Sequence, residues 1–330
     1  MKFESLEEPL QPVASFKVVD NNLIFAIINN FSSQMMGQQG AYQLRQAIKQ
    51  CTNVITFDIQ LSKNWIKAEG ASHLGKGLSK CLQIINLKLD LDSNNIGVNG
   101  ISLLFDGIKH CSSLQNLSLA LECNYIGSKG LQNLGIAIRQ CQNILILSLS
   151  LYDNSITSEG VNYLVESIIK CQNLQNLHLS FVYNNIGNKG ASTLILGLSQ
   201  LINLSHLNLS LGSTWIFTDV DSELGLAFKQ YKNLFKLVLS LDSNKIENRE
   251  ICNLAEGLAQ CQNLQHIILD LSRNDLKEEW LNNFGTRLKN NLNIKILDLI
   301  LVSYLKGKNK FQLLSNLRKM KRLVKLYYKI

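Results

Sequence analysis

Sequence signatures of catalysis are missing from this chain. It contains no G-x-x-x-x-G-K-[ST] phosphate loop, no H-E-x-x-H zinc motif, no G-x-S-x-G nucleophile elbow and no kinase signature. Histidine is scarce, with five in 330 residues. His178 and His206 fall on neighbouring predicted strands, but the sequence offers them no nucleophile or acid partner. We therefore predict that the chain is not an enzyme and binds no cofactor.

Long apolar runs are also missing. No stretch approaches the length of a membrane span. The start of the sequence, with Glu4, Glu7 and Glu8, lacks the apolar region of a secretory signal. The composition, 46% hydrophobic and 18% charged, is typical of a folded chain. We expect a cytoplasmic protein that does not bind membranes.

Acidic residues are missing from residues 299–330, which hold nine of the 33 Lys and Arg residues. The rest of the chain is close to neutral, so the net charge of +8 describes one end only. A nucleic-acid-binding protein would carry a broader basic surface, so we predict no specific nucleic-acid partner. An acidic partner at the basic C-terminal end is a second possibility for that segment.

An internal repeat of 30 residues dominates what the sequence does contain. The cysteines keep this spacing at Cys51, Cys81, Cys111, Cys141, Cys171 and Cys261. An asparagine column keeps it at Asn64, Asn94, Asn124, Asn154, Asn184, Asn244 and Asn274. A leucine column runs in the same phase from Leu44 to Leu254. Periods of 20–50 residues are typical of solenoids, so the repeat predicts stacked units with one continuous core.

Within each repeat the hydrophobic period changes from two to that of a helix. In residues 171–200, Leu177, Leu179 and Phe181 alternate as in a strand, and Ala191 and Leu194 follow at helical spacing. A small residue recurs late in each helix, which we interpret as the place where helix and sheet backbones approach closely. The predicted fold is an α/β leucine-rich horseshoe, with a parallel inner sheet of about eleven strands and ten outer helices.

The expected domain organisation follows from where the period holds. Residues 21–330 form one repeat domain of ten 30-residue repeats plus a terminal strand. Residues 1–20 include both prolines and fall outside the period, so we interpret them as a tail or an N-terminal cap. Repeat 201–230 breaks the pattern most, with Thr214 in the asparagine column and a cluster of acidic residues after it. Such a break can mark function or simple drift in a repeat array.

These repeats resemble the leucine-rich-repeat family, and in particular its ribonuclease-inhibitor-like class, over about residues 21–330. The family pattern L-x-x-L-x-L-x-x-N reads here L-x-x-L-x-L-x-L-x-x-N, as in Leu174 to Asn184. The two extra residues predict a wider sheet or a bulge in each strand. The resemblance implies a scaffold that binds another protein on the concave sheet face. A relative of similar length, the Ran GTPase-activating protein, gives the alternative: a GTPase activator acting through loop residues.

The cysteine and asparagine columns could each be interpreted as functional, but a structural role is favoured for both. Zinc sites need close cysteine pairs, and this sequence has none, so we predict no metal and read the cysteines as buried thiols. Unbridged cysteines also indicate a reducing compartment. The asparagines are interpreted as structural, with side chains that bond the backbone of the turn and of the neighbouring repeat.

The candidate binding residues lie on the predicted concave face and its rim. Tyr152, His178 and Tyr183 are expected close together near its middle, where tyrosine is a common interface anchor. Carboxylates make the face mildly acidic at Asp90, Asp92, Glu122, Asp242 and Asp270. Trp65, Tyr125 and Trp215 share one slot on the loop rim, where they either anchor a ligand or cover the sheet edge. A solvated face with no partner is the simplest alternative.

Overall fold

The computed structural model describes residues 14–18, 24–28, 32–217, 225–277, 280–288, 291–301 and 325–329. The chain divides into two compact units, Met1–Ser155 and Ile156–Ile330. Strands and helices alternate along the chain in both units. None of the helices in the described part of the chain is long and apolar enough to cross a membrane.

The first unit contains six strands and four helices among its described residues. In chain order they are β1 (Ala14–Val18), β2 (Ile24–Ile28), α1 (Gly37–Ile48), β3 (Val54–Gln60), α2 (Lys67–Leu78), β4 (Asn86–Asp90), α3 (Gly97–Ile108), β5 (Asn116–Ala120), α4 (Gly127–Ile138) and β6 (Ile146–Ser150). Strands β2 to β6 pair in parallel, each with the next along the chain. Strand β1 pairs antiparallel with β2 and was not predicted from the sequence. That residues 1–20 are a tail or a cap stays a prediction.

The second unit continues the same alternation, with one irregular repeat. Its elements are α5 (Ser158–Ile168), β7 (Asn176–Ser180), α6 (Gly187–Leu198), β8 (His206–Ser210), a 3-10 helix (Leu226–Gln230), β9 (Lys236–Ser240), α7 (Asn248–Ala259), β10 (His266–Asp270), α8 (Trp280–Leu288), β11 (Ile296–Ile300) and β12 (Lys325–Lys329). Strands β7 to β12 pair in parallel, again in chain order.

The predicted α/β solenoid with a parallel sheet is confirmed. Over the two units, nine strands, β3 to β11, form the regular part of the repeat, somewhat fewer than the eleven expected, and β2 and β12 add parallel pairing outside them. In the irregular repeat the described residues at the end of the expected helix, Leu226–Gln230, form a short 3-10 helix. The tenth expected helix falls between β11 and β12, outside the described residues.

The core is built from the leucine and isoleucine columns. In strands β3 to β11, alternate side chains such as Leu87 and Leu89 are buried, while Lys88 between them is exposed. Helix side chains close the core from one side: in the second unit Leu239 and Leu241 line one small cavity together with Ile251 and Leu254 of α7. The strand face that bears the unburied side chains is therefore turned away from the helices, and we call it the free face.

Six strands, β5, β6 and β8 to β11, begin with a doubled hydrogen bond. The backbone N–H groups of Gln115 and Asn116 both donate to the carbonyl oxygen of Ile85. The same pairing recurs one repeat later, where Leu145 and Ile146 donate to Gln115, and again in the second unit. Two successive residues therefore leave the core face before the alternation resumes, which is a bulge-like step. The register between neighbouring strands stays unshifted through this step. The step falls in the L-x-x-L segment that the shorter family pattern shares, and the two extra residues lie in the alternating part of the strand.

The small residue late in each helix was interpreted as the place where helix and sheet backbones approach closely, and the structure corrects this. A Cβ added at Gly107 in α3 would overlap the backbone of Gly75 in α2, and one added at Gly257 would overlap the backbone of Gly225. The close approach therefore joins neighbouring helices, not helix and sheet. The sequence shows that the position must be small, but it does not show which neighbour limits it.

The asparagine column forms the predicted hydrogen-bonded ladder. The Asn94 side chain is fully buried. Its Oδ1 accepts the backbone N–H groups of Asn64 and Ile66, 30 and 28 residues earlier, at 2.9 and 3.3 Å. Its Nδ2 donates to the carbonyls of Leu61, Leu91 and Asp92. One side chain thus holds its own turn and the turn of the preceding repeat.

Candidate functional site

In the first unit, the candidate carboxylates lie where the strands end. Asp92 Oδ1 accepts the backbone N–H of Glu122 at 2.7 Å. The Ser150 hydroxyl donates to Glu122 Oε1 at 2.5 Å. Asp90 Oδ1 accepts the N–H of Asp92 at 3.2 Å, which is a local turn bond. The structure therefore brings three predicted site residues together, and part of their role is to hold the turns.

The charges in this group are unfavourable for folding. Burial raises the pKa of the Asp92 carboxyl to about 6, and the nearby Glu122 and Asp90 carboxylates act in the same direction. The hydrogen bond from the Glu122 backbone opposes this shift. Carboxylates held together against their mutual repulsion are common at functional sites, although structural networks produce the same effect.

Replacing Asp92 with asparagine should stabilise the protein near neutral pH. Because the pKa of Asp92 is about 6 when folded and about 3.9 when unfolded, the folded chain binds more protons between these values. The stability that the protonated carboxyl confers is present at low pH and is lost as the pH rises through about 6. We expect Asp92→Asn to gain about 1 kcal/mol at pH 7.5, allowing for partial exposure, and less at pH 4.

Urea unfolding of the purified chain at the two pH values measures this effect. Asparagine keeps an oxygen that accepts the Glu122 N–H, so the hydrogen bond survives the substitution. Asp275→Asn, at an exposed carboxylate of the second unit, is the control and should change little. A loss of stability in Asp92→Asn at pH 7.5 would contradict the prediction.

The three residues expected in the middle of the face divide between the units. Tyr152 lies in the first unit and is partly exposed. His178 and Tyr183 lie in the second unit, at strand β7 and in the turn after it. Burial lowers the pKa of His178, and a hydrogen bond with Asn208 opposes the shift. Tyr183 is 59% exposed.

The carboxylates of the second unit are tied to their own turns. Asp242 accepts hydrogen bonds from the hydroxyls of Ser240 and Ser243, at 2.7 and 3.2 Å. Asp270 Oδ1 accepts the N–H of Ser272 at 2.9 Å. Both side chains are half-buried on the free face. They have a structural role and still contribute negative charge at the strand ends.

The rim aromatics are exposed. Trp65, Tyr125 and Trp215 are 61, 70 and 59% exposed. All three have positive φ, between 55° and 64°, a region that large side chains rarely adopt. Trp215 lies beside Phe217, with ring centroids 6.1 Å apart, and Lys245 Nζ lies 5.4 Å from the Phe217 centroid.

The sequence analysis did not assign to the free face the side chains at the strand starts, nor two apolar side chains further along the strands. The doubled hydrogen bond at the strand start turns both residues of each pair, such as Phe235 and Lys236, out of the core. In the second unit this adds half-buried or exposed residues to the free face: Ser205, His206, Phe235, Lys236, Gln265, His266, Lys295 and Ile296. Val238 and Ile268 also lie on this face, half-buried. The sequence indicates this feature by the two consecutive non-leucine positions in the L-x-x-L segment of each repeat.

All eight cysteines are free thiols, and the column cysteines are mostly buried. Cys81 Sγ donates to the carbonyl of Ile48 at 3.3 Å, and Cys261 Sγ donates to that of Phe228 at 2.9 Å. Burial raises the pKa of both thiols to about 12, so the nucleophilic thiolate is suppressed. Cys123 stands outside the column and is only half-buried.

Thiol labelling should separate the cysteines by burial. We expect Ellman's reagent to react quickly with Cys123 and Cys51 in the folded protein, because these two are the thiols that are only half-buried. Unfolding in urea without a reductant should bring all eight into reaction. Cys123→Ser should remove part of the fast phase. Fast reaction of the column thiols in the folded state would contradict their burial, and fewer than eight thiols after unfolding would indicate disulfides.

Among the residues that the structure describes, no group of three or more His, Cys, Asp or Glu side chains could hold a metal ion. A comparison with protein-family models finds no match for the chain, and a comparison with curated proteins finds none either.

Proposed function

We propose that this chain is a leucine-rich-repeat protein of the ribonuclease-inhibitor-like class that binds a partner protein on the free face of its sheet. The 30-residue period, the strand–turn–helix unit and the asparagine ladder support the class. The function rests on the analogy that a repeat sheet offers an extended surface whose side chains are not needed for packing.

The observation that carries the proposal is the composition of the free face in the second unit. A face that meets only water would be polar, yet Phe235 is 41% exposed, and Val238 and Ile268 are half-buried on the same face. Apolar groups surrounded by charged ones are typical of protein interfaces. Tyr152 and Tyr183 add two candidate anchors.

We also propose that the protein resides in the cytoplasm. The column cysteines are free and stack one repeat apart, an arrangement that an oxidising compartment would not favour. The labelling experiment on the unfolded chain tests this assignment as well, because native disulfides would contradict it.

Affinity capture followed by hydroxyl-radical footprinting tests the binding proposal. The chain captures partners from a lysate, and the purified complex is then footprinted. We expect protection of Tyr183 and Phe235 on the free face. Tyr152→Ala combined with Tyr183→Ala should weaken binding by about 1 kcal/mol or more and leave the unfolding midpoint unchanged.

The comparison variant reverses the charges of Lys321, Arg322 and Lys325 to Glu at the basic C-terminal end. If that reversal abolishes binding and the tyrosine pair has no effect, the free-face proposal is wrong and the C-terminal end is the docking site. Protection confined to helix side chains would also contradict it.

A further inference from the structure

Four successive turns of the first unit present one residue each at the same place in the repeat. We call these residues the tip row: Met35, Trp65, Asn95 and Tyr125. Three of the four are large and apolar, and these three are 82, 61 and 70% exposed, in chain order. Exposed apolar groups that lie together are typical of surfaces that bind another molecule. The tip row lies in the turns, whereas the free face is formed by the strands.

The asparagine ladder holds each tip residue from both sides. The backbone N–H groups of Asn64 and Ile66 both donate to Asn94 Oδ1, so Trp65 lies between two anchored residues. The asparagine of the next repeat holds the other members of the row in the same way. A side chain on a backbone that is already fixed loses less freedom on binding, so the position suits an anchor.

The backbone conformation at the tips does not favour aromatic residues. All four members have positive φ, between 52° and 56°. Asparagine adopts this region readily and large side chains rarely do, so Asn95 is the residue that the turn itself favours. The rings of Trp65 and Tyr125 are mostly exposed and therefore add little to the packing of the core. A contact outside the turn accounts for them better than the turn does.

Basic side chains flank the exposed tryptophan. Lys63 and Lys67 lie two residues before and after Trp65, and both are exposed. Neither lysine takes part in an ion pair with another residue that the structure describes. The turn that carries Trp65 is hydrogen-bonded to the turn that carries Met35, which extends the apolar surface by one repeat. An occupant with carboxylates on either side of an apolar group therefore complements this surface.

The carboxylates nearby decide between two kinds of acidic occupant. Asp92 and Glu122 precede Asn95 and Tyr125 by three residues, in the same turns. A nucleic acid strand carries a phosphate at every nucleotide and would bring some of them close to these carboxylates. A peptide can place its carboxylates at the two lysines alone and its apolar side chains along the rest of the row.

We infer that the tip row of the first unit is a second docking surface, which binds an acidic protein segment that also carries apolar side chains. The apolar side chains of that segment cover Met35, Trp65 and Tyr125. Its carboxylates face Lys63 and Lys67. The inference goes beyond binding at the free face and does not depend on it.

Designed peptides of about ten residues, which extend over roughly 33 Å, are the probes. One combines Leu with Glu, the second combines Leu with Lys, and the third combines Ser with Glu. Binding to the full chain is followed by fluorescence anisotropy. We expect the Leu/Glu peptide to bind about tenfold or more tightly than the other two, because only this peptide offers both apolar and acidic groups. No binding, equal binding of the three, or tighter binding of a single-stranded oligouridylate overturns the inference.

Trp65→Asn combined with Tyr125→Asn separates binding from folding, because it gives both turns the residue found at Asn95. We expect the affinity for the Leu/Glu peptide to fall about tenfold or more, while the unfolding midpoint in urea stays the same or rises. Leu82→Asn combined with Ile202→Asn, at two other exposed apolar residues in turns, is the matched control and should leave the affinity unchanged. A lower midpoint for the tip variant would mean that the rings support the fold, and the inference would be wrong.

Charge variants locate the carboxylates of the peptide. Lys63→Glu combined with Lys67→Glu should weaken binding of the Leu/Glu peptide about tenfold or more and improve binding of the Leu/Lys one. Lys76→Glu combined with Lys80→Glu, the same change at exposed residues in and after α2, should alter neither affinity. Equal losses in the two double variants overturn the assignment. Tyr152→Ala with Tyr183→Ala should also leave the peptide affinity unchanged, so failure of the tip row and failure of the free face are distinguishable.

Discussion

Replacing Gly107 with alanine should destabilise the protein by about 2 kcal/mol or more, although alanine is the better helix former. In an unconstrained helix this change gains about 0.5–1 kcal/mol. Here the new methyl group overlaps the carbonyl of Gly75 in the neighbouring helix, and backbone cannot rotate away. The free energy of unfolding in urea, measured on the purified chain, tests the sign of the change.

Gly130→Ala is the matched comparison. A Cβ added there mainly meets Cγ2 of Ile126, the end of a side chain that can change rotamer, and lies 3.5 Å from the backbone of Val98. We expect a clearly smaller loss at Gly130 than at Gly107. A higher unfolding midpoint for Gly107→Ala would mean that helices α2 and α3 are not in close contact at this point.

Asn94→Ala should cost about 3 kcal/mol or more, because several buried backbone groups lose their partners at about 1–3 kcal/mol each. The side chain accepts two backbone N–H groups and donates to three carbonyls, in two repeats. Asn99→Ala, at an exposed position of α3, makes the same change without these bonds and should be nearly neutral. Chemical denaturation of both variants gives the difference. Equal midpoints would show that the ladder does not stabilise the array.

The period made most of the fold predictable, because stacked identical units place each column in a single environment. The buried leucines and the asparagine ladder follow directly from that reasoning. Strand β1 could not be predicted, since it lies outside the period and pairs in the opposite direction. The 3-10 helix could not be predicted either: Tyr231 replaces the column cysteine there, and its hydroxyl reaches the carbonyl of Ile195 at 2.8 Å.

The candidate site was less predictable than the fold. Burial alternates along a strand, so assignment of Asp92, His178 and Tyr183 to the free face needed only the position of the leucines. The step with the doubled hydrogen bond adds one residue to that face in the strands that have it, and a strict period of two misses this residue. Lys236 and His266 were therefore overlooked as surface residues. The hydrogen bonds that Asp90 and Asp270 accept within their own turns could not be predicted either, because turn geometry depends on backbone angles rather than on residue spacing.

Thr214 interrupts the asparagine ladder within the second unit. Asn124 offers its Oδ1 to two backbone amides of the preceding repeat, whereas the Thr214 hydroxyl donates to the carbonyl of Leu211. The backbone N–H of Asn184 therefore donates to the carbonyl of Phe181 in its own turn. Cooperativity in a linear array depends on bonds between adjacent repeats, so their loss sets a boundary for sub-global opening. Amide hydrogens on the two sides of Thr214 should therefore exchange as separate groups, with independent protection factors.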